Sequence, residues 1–354
     1  ALPVPQIALP IGISFYTFQA MSYVVDVYRY QVGVQRSYRK YLLYISLFPQ
    51  LIAGPIVRYS DIEAQLEDRH ASREDMFYGL IRFAVGLGKK ILIADHCYTV
   101  VTQMLDGSLS SATTLGTWLG ILMFTFQIYF DFSGYSDMAI GLGRIFGFHF
   151  KENFDHPYCA DSVGTFWRRW HMSLTTWFRD YLYIPLGGNR GGTVKTIRNL
   201  IIVWFCTGFW HGASWNFVLW GLYFAAWLIL ERYVLRGVLE KTPKVLKHLY
   251  TLIVVFVGWG LFAMVDLSVC GDYLATCFGG GPLWSAADGF RLRSYAVTLI
   301  ALVLASTALG QRLWAKLPRR AEALFTPVLM GLSLVVCTAY LVDGSYNPFL
   351  YFRF

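Results

Sequence analysis

The segment Asn199–Leu230, NLIIVWFCTGFWHGASWNFVLWGLYFAAWLIL, is apolar along most of its length and carries one ionisable imidazole, His211, near its centre. Two geometries fit this segment. In a hairpin, the first arm Asn199–Trp210 reaches only about 18 Å into a hydrocarbon core about 30 Å thick. In a single long helix, Gly212 is the natural place for a kink. Both geometries place His211 at membrane depth, where an ionisable group indicates a functional site and a hydrogen-bonded packing histidine is the alternative.

The composition of the 354 residues predicts a protein that is embedded in a membrane. Charged residues make up 15% of the chain, against about 25% in soluble domains, and the mean hydropathy is +0.45. Clear apolar spans are Ala112–Phe130, Ser214–Leu230, Tyr250–Val265, Ser294–Leu309 and Leu324–Val342. Less regular candidates, interrupted by Gly, Pro or charge, are Ile7–Val25, Tyr38–Ala53, Met76–Leu105 and Ser133–Phe148. The sequence therefore predicts an all-α, polytopic membrane protein with a packed, irregular first half.

The chain, residues 1–354, has no internal repeat, low-complexity tract or long linker, which predicts a single domain. Its net charge of +8 does not indicate nucleic-acid binding, because the basic residues lie in loops between spans. The loops Glu231–His248 and Gln311–Glu322 are rich in Lys and Arg and are predicted to be cytoplasmic. Asp266–Arg293 is then external, and His211 lies toward the outer end of its span.

The six cysteines show no spacing typical of a metal site, and no metal is predicted. Cys270 and Cys277 share the predicted outer loop. A disulfide between them and simple apolar packing both remain open.

The second informative segment is Trp167–Tyr181, WRRWHMSLTTWFRDY. Interpreted as one helix, it carries an apolar stripe at i, i+3, i+4 and i+7 that includes His171, while the arginines lie off the stripe. This pattern predicts an interfacial or re-entrant helix at the cytoplasmic boundary. A satisfied core histidine and a functional one both remain open for His171.

Two further patterns favour structural roles. The stretch 184–192, IPLGGNRGG, predicts a turn more than a phosphate-binding loop, because no strand precedes it. Ser133, Asp137 and Gly141 share one helix face, which indicates close packing with a buried polar contact. A proton relay along that face is the alternative.

The two histidine motifs together resemble the membrane-bound O-acyltransferase (MBOAT) family, and most closely its bacterial alginate O-acetyltransferase-like branch. One motif runs from FWRRWH at 166–171 to DYLYIPLGGNR at 180–190, and the other is FWHGASW at 209–215. Supporting stretches are PIGISFYTFQ at 10–19, FPQLIAGPI at 48–56 and NPFLYF at 347–352.

The resemblance implies a helical bundle with re-entrant or interfacial helices around a central tunnel, in a chain that lacks the family's first membrane helices. It implies that His211 is the catalytic histidine and that His171 fills the second motif position. Further candidates for substrate or tunnel contacts are Trp167, Trp170, Trp210, Asn216, Asp180 and Arg190.

The resemblance also implies a reaction. An acyl group passes from a cytoplasmic thioester donor, acetyl-CoA or another acyl thioester, across the bacterial inner membrane toward an exported polysaccharide such as alginate, with an extracytoplasmic acyltransferase as partner. No tightly bound cofactor is implied. His211 would act as the general base, and His171 would orient the donor or stabilise the oxyanion.

Three other functions compete with this one. Peptidoglycan O-acetylation and D-alanyl transfer to teichoic acid use the same chemistry on other polymers. A proton-coupled transporter would predict paired inverted halves, which the sequence does not show.

Overall fold

Helices form the regular structure of the protein in this computed structural model, which describes residues 10, 12–105, 112–264, 266–344 and 349–350. Within these residues the chain has sixteen α-helices and no strand, which confirms the all-α class. The helices are α1 (Ile13–Tyr28), α2 (Tyr38–Ser46), α3 (Tyr59–Glu67), α4 (Arg73–Gly88), α5 (Asp95–Leu105), α6 (Thr114–Ile145), α7 (Val163–Arg169), α8 (Met172–Phe178), α9 (Thr193–His211), α10 (Trp215–Tyr233), α11 (Arg236–Lys241), α12 (Lys244–Ala263), α13 (Leu267–Cys277), α14 (Ala286–Ala305), α15 (Leu309–Trp314) and α16 (Arg319–Asp343). Single 3₁₀ turns lie at Phe48–Gln50 and Pro157–Cys159, and π-helical turns at Lys89–Ala94 and Arg179–Tyr183.

By length and composition, three of the described helices, α6, α12 and α16, are able to cross a membrane. Most of the apolar part of α6 is buried inside the protein, whereas only 6% of the apolar part of α16 is buried, so α6 is central and α16 peripheral. Each of the four spans predicted in the second half overlaps one long helix. In chain order, α10, α12, α14 and α16 overlap Ser214–Leu230, Tyr250–Val265, Ser294–Leu309 and Leu324–Val342. Val265, at the end of one of them, lies outside the described residues.

The predicted division of the central span is wrong. Ala112–Phe130 and Ser133–Phe148 belong to the single helix α6, whose 32 residues extend about 48 Å at about 1.5 Å per residue. The helix continues through the polar stretch because α4 and the π-turn after it neutralise that stretch. Gly134 contacts the backbone of α4, and Asp137 is paired with Arg82 and Lys89.

The irregular first half is confirmed, but not every candidate span in it. Tyr38–Ala53 contains only the nine residues of α2 before the chain turns at Pro49, so its prediction as a span is wrong. Met76–Leu105 is covered by α4, the π-turn and α5. For Ile7–Val25, the structure shows α1 from Ile13 onward, and residues 1–9 and 11 lie outside the described part.

Glycines bring α4 and α6 into backbone contact. Gly79 meets Gly141, and Gly86 meets Gly134. A Cβ atom on any of the four would come within 2.5–2.7 Å of the carbonyl oxygen of its partner, which is closer than packed atoms allow. The predicted close packing of this face of α6 is therefore confirmed.

Ion pairs reinforce the same interface from the π-turn after α4. Lys89 Nζ lies 2.6 Å from Asp137 Oδ2, and Lys90 Nζ lies 2.8 Å from Asp131 Oδ1. Lys90 also pairs with Asp95, at 2.7 Å. Because Asp131 is 2% exposed, its charge depends on Lys90 for compensation.

Replacing Lys90 with methionine is expected to destabilise the protein by about 3–5 kcal/mol, because the substitution leaves the Asp131 carboxylate buried without its cation. Thermal and denaturant unfolding in detergent measure the change. Arg236→Met, which breaks the exposed pair with Glu240, is the control and is expected to cost at most about 0.5 kcal/mol. Equal stability of Lys90→Met and the parent protein would contradict this role for the pair.

The helices α9 and α10 form a hairpin, which is one of the two predicted geometries, but the predicted length of the first arm is wrong. That arm is α9, whose 19 residues from Thr193 to His211 extend about 28 Å and not about 18 Å. The turn lies directly after His211, the last residue of α9. Gly208 and Gly221 let the two arms touch, since a Cβ at either would overlap the carbonyl oxygen of Phe217 or Trp204. His211 therefore lies at the end of α9 that adjoins the hairpin turn. The Gly-rich stretch at residues 184–192 precedes the opposite end of the helix, at Thr193.

Two groups of contacts connect the segments between helices. The start of α6 contacts the segment 276–288, with Thr114 N donating to Pro282 O at 2.9 Å. Glu231, at the end of α10, accepts from Val163 N at the start of α7. His248 in α12 contacts Ala160 O on the same side. The first group includes the loop predicted to be external and the second the loop predicted to be cytoplasmic, and the sidedness itself stays a prediction.

Candidate active site

The segment Trp167–Tyr181 is not one helix, as the sequence pattern predicts. It is α7, a break at Trp170–His171, α8 and a π-turn. The break arises because His171 takes φ 43° and ψ 55°, the left-handed region that a non-glycine residue rarely adopts. Such strain persists only where surrounding contacts determine it, and it concentrates at functional sites.

Aromatic rings enclose His171, whose side chain is 3% exposed. Phe132 of α6 packs edge-on against the imidazole at a centroid distance of 4.7 Å. Phe15 of α1 lies 6.5 Å away. The predicted apolar stripe lies on two short helices and the break between them instead of on one helix, and its members from Trp167 to Phe178 are buried.

His171 Nδ1 lies 3.1 Å from Oδ1 of Asn153, in the loop between α6 and α7. A backbone hydrogen bond connects the same two segments, since Met172 N donates to Asn153 O at 2.9 Å. Sequence reasoning missed Asn153, because no motif or spacing distinguishes it. His171 Nε2 is buried and has no hydrogen-bond partner among the described residues.

His211 sits where α9 ends, and its ring is partly buried among aromatic side chains. Trp220 and Phe262 approach it edge-on, with centroids 5.1 Å and 5.3 Å away. Trp210 lies beside it at 4.8 Å and is also 6.4 Å from the ring of His171. The indole of Trp210 therefore neighbours both imidazoles.

One cavity of about 160 Å³ is lined by both imidazoles. Four residues on one face of α9 line it in sequence, Leu200, Val203, Thr207 and His211. This stripe follows the cavity for about 16 Å, at about 1.5 Å per residue. The remaining lining comes from α7, α8, the π-turn and α9: Trp167, Trp170, His171, Leu174, Thr175, Phe178, Arg179, Tyr183 and Trp204.

A smaller cavity of about 40 Å³ continues past His211, and the two cavities share His211 and Trp170. Its far wall includes Asp131 and the C-terminal residues Phe349 and Leu350. Leu350 N donates to Asp131 Oδ2 at 2.7 Å, which fixes the end of the described chain against α6. The other residues of the predicted motif NPFLYF lie outside the described part.

A polar cavity of about 460 Å³ adjoins the other end of the first one, with Thr175 and Arg179 common to both. Arg58, Arg168 and Lys151 also line it. These cations come from segments far apart in the sequence, so no local pattern predicts them. The cavity also contains Asp61 and Glu152.

The other predicted candidates occupy three kinds of position. Trp167 and Trp170 line the cavity with the two histidines. Asn216 is buried where α10 meets α12, and its Nδ2 donates to Phe262 O at 3.3 Å. Asp180 and Arg190 lie outside the cavities described above, Asp180 in the π-turn and Arg190 in the exposed Gly-rich turn.

Asp180 connects the π-turn to the mouth of the polar cavity. It pairs with Arg179 and with Arg58, at 2.6 Å and 2.8 Å. Burial acts to raise the pKa of Asp180, but hydrogen bonds from Arg179 and Arg58 outweigh it and hold the pKa below its ordinary value. The carboxylate therefore stays charged and keeps both guanidinium groups at the mouth.

The Gly-rich stretch is a turn, in agreement with the favoured prediction. Asn199 Nδ2 donates to Leu186 O and Gly188 O, at 3.1 Å and 2.9 Å. Cys270 and Cys277, for which two alternatives were open, are buried free thiols on α13. No group of three or more His, Cys, Asp or Glu residues suited to a metal ion occurs in the described residues.

Comparison with known proteins gives one consistent family. A model described as "MBOAT, membrane-bound O-acyltransferase family" matches residues 10–271. The chain is 43% identical over 302 residues to "Probable alginate O-acetylase AlgI" of Azotobacter vinelandii, covering 85% of this chain and 60% of that protein. A protein of the same name from Pseudomonas putida is 38% identical over an alignment that covers 98% of this chain and 76% of the relative.

A relative with a different substrate in its name is "Peptidoglycan O-acetyltransferase" of Helicobacter pylori. It is 37% identical over 292 residues, covering 73% of this chain and 55% of the relative. The chain thus spans between 55% and 76% of the length of these three proteins.

Proposed function

Because the chain belongs to the membrane-bound O-acyltransferase family, we propose that it transfers an acetyl group from a thioester donor toward the hydroxyl groups of an exported polysaccharide such as alginate. The observation that carries this proposal is the cavity that both His171 and His211 line. The two relatives named as alginate O-acetylases favour alginate as the polymer.

His211 is the proposed general base. Its imidazole takes the proton of the acceptor hydroxyl, the hydroxyl oxygen attacks the thioester carbonyl, and the carbon–sulfur bond then breaks. The proton passes to the departing thiolate, which leaves as a thiol. Such proton transfer contributes about 10²–10⁴-fold to the rate. Aromatic rings around His211 exclude water, so the thioester is protected from hydrolysis.

The cavity along α9 is the proposed route of the donor. A thioester of the acetyl-CoA type carries phosphates at one end of a long flexible arm and the acyl group at the other. Arg58, Arg168 and Arg179 at the polar cavity suit the phosphates, and the narrow apolar cavity suits the arm. The donor is a substrate in this account, and no tightly bound cofactor is involved.

The membrane setting follows from the same proposal. We place the chain as a single domain in the bacterial inner membrane, crossing it several times, with the polar cavity facing the cytoplasm. The acyl group, carried as an ester on the acceptor hydroxyl, then leaves on the outer side past His211, and an extracytoplasmic acyltransferase passes it from that hydroxyl to the polymer. The smaller cavity beyond His211 supports this direction of travel.

Peptidoglycan is the second candidate acceptor, because the Helicobacter pylori relative carries that substrate in its name. The histidines and the donor route would be the same for both polymers. The distinction lies in the acceptor and in the partner outside the membrane.

Expression of the complete gene in an alginate-producing strain that lacks its own O-acetylase is expected to restore acetyl groups on the exported alginate. Mass analysis of the secreted polymer measures them. The parallel analysis of cell-wall muropeptides tests the second candidate. Acetylated muropeptides together with unmodified alginate would show that the acceptor is peptidoglycan and not alginate. If neither polymer carries acetyl groups while the protein is present at its normal level, the proposed function is wrong.

A further inference from the structure

The side-chain oxygen of Asn153 is the meeting point of three hydrogen bonds in the buried loop before α7. Asn153 is 1% exposed. Its Oδ1 lies 3.1 Å from His171 Nδ1, 3.2 Å from Ser173 N and 2.9 Å from Ser173 Oγ. Asn153 thereby connects the strained residue His171 to the first turn of α8.

The orientation of the Asn153 amide follows from the backbone. A main-chain N–H is a donor and never an acceptor, so the Asn153 atom that faces Ser173 N must be the oxygen. The nitrogen, Nδ2, then points the other way and donates to Ser136 Oγ at 3.0 Å. The Ser173 hydroxyl accepts from Ile56 N at 3.0 Å. It lies 2.9 Å from Asn153 Oδ1 and 3.5 Å from His171 Nδ1, so its own proton goes to the nearer atom, Asn153 Oδ1.

We propose that Asn153 is a positioning residue that holds His171 as the tautomer protonated at Nδ1, which leaves a lone pair on Nε2 for a ligand in the cavity. An amide oxygen is only an acceptor, so the His171 nitrogen beside it must carry the proton. The other nitrogen has no partner among the described residues, and the ring lines the cavity.

This tautomer of His171 assigns different roles to the two histidines. The assignment of roles rests on the proposed function. A neutral His171 with a lone pair at Nε2 accepts a hydrogen bond and cannot donate one from that atom to an oxyanion. An acyl thioester on a pantetheine arm carries amide N–H groups, which are suitable donors. Of the two roles that the sequence left open, the geometry points to orientation of the donor.

Nuclear magnetic resonance of the ¹⁵N-histidine-labelled protein in lipid nanodiscs tests the tautomer without any enzymatic assay. The His171 signals are assigned by their absence in His171→Ala. The expected spectrum has a protonated, pyrrole-type nitrogen at Nδ1 and an unprotonated, pyridine-type nitrogen at Nε2. A proton on Nε2 in the parent protein overturns the proposal, whether or not the protein transfers acetyl groups.

A pair of variants of similar size then tests whether Asn153 determines the tautomer. Asn153→Asp keeps an acceptor beside Nδ1 and is expected to keep the parent pattern, while Asn153→Leu removes the acceptor and is expected to give a mixture of tautomers. Asn199→Leu removes another buried amide, away from His171, and should leave the pattern unchanged. Parent-like signals in Asn153→Leu overturn the assignment.

The same variants carry a kinetic prediction. Asn153→Leu is expected to lower acetylation by about 10–100-fold, by analogy with the loss of a hydrogen-bond partner that orients a metal-ligating histidine, and Asn153→Asp should recover much of it. If Asn153→Leu does not fold, the parent spectrum and Asn153→Asp still decide the tautomer. An inactive parent protein with the expected spectrum would contradict the proposed function and leave the positioning role intact.

Discussion

Replacing His211 with alanine is expected to abolish acetylation of the exported polymer, while the protein remains folded and inserted. The loss should be at least about 10²–10⁴-fold, the usual contribution of a general base. The fold should persist because His211 ends α9 and the following turn is held by the contact of Gly208 with Phe217. Acetyl content of the polymer, normalised to membrane protein level, is the measurement.

His248→Ala is the matched control for this experiment. It also removes one imidazole from the helical bundle, but at α12, where Nδ1 contacts Ala160 O, away from the two cavities. It should leave acetylation near the parent level. Undiminished acetylation by His211→Ala, at a normal protein level, would show that His211 is a packing residue and that the base lies elsewhere.

Narrowing the cavity along α9 should block transfer as completely as removing the base. Val203→Trp places a bulky ring among the lining residues between Leu200 and Thr207. With only about 160 Å³ available, the added ring fills the space that a donor arm needs. Overpacking costs about 1–3 kcal/mol, so the expression level must be measured beside acetylation.

Ile201→Trp provides the comparison on the same helix. Ile201 is 41% exposed on the outside of α9, so its substitution adds the same ring without touching the cavity. We expect normal acetylation from Ile201→Trp and almost none from Val203→Trp. Equal activity of the two variants would mean that the acyl group does not travel along α9.

Several parts of this architecture are readable from sequence because they depend on local pattern. The long apolar segments predict the helices, and the break after His211 was one of two geometries that the segment allowed. The face of α6 that carries Ser133, Asp137 and Gly141 predicts close packing, since small residues at such spacing let helices approach. What the pattern did not reveal is that α6 runs through Ser133 unbroken, because the compensating cations, Lys89 and Arg82, come from another helix.

The parts of the site that escaped prediction depend on tertiary contacts. Periodicity assigns His171 to a helix, whereas the structure places it in a left-handed break that long-range hydrogen bonds to Asn153 maintain. The cations of the polar cavity are equally hidden, because Arg58 and Lys151 join Arg168 only after folding. Sequence pattern thus identifies the two histidines but not the residues that orient them.

In the proposed reaction, one cavity brings the acyl donor to both histidines. A cryo-electron microscopy structure of the protein with a non-hydrolysable analogue of acetyl-CoA tests this directly. We expect the pantetheine arm along Leu200, Val203 and Thr207, with an amide N–H at Nε2 of His171 and the acyl carbonyl beside His211. Analogue density outside the cavity along α9, or in it with the acyl end remote from His211, would contradict this donor route.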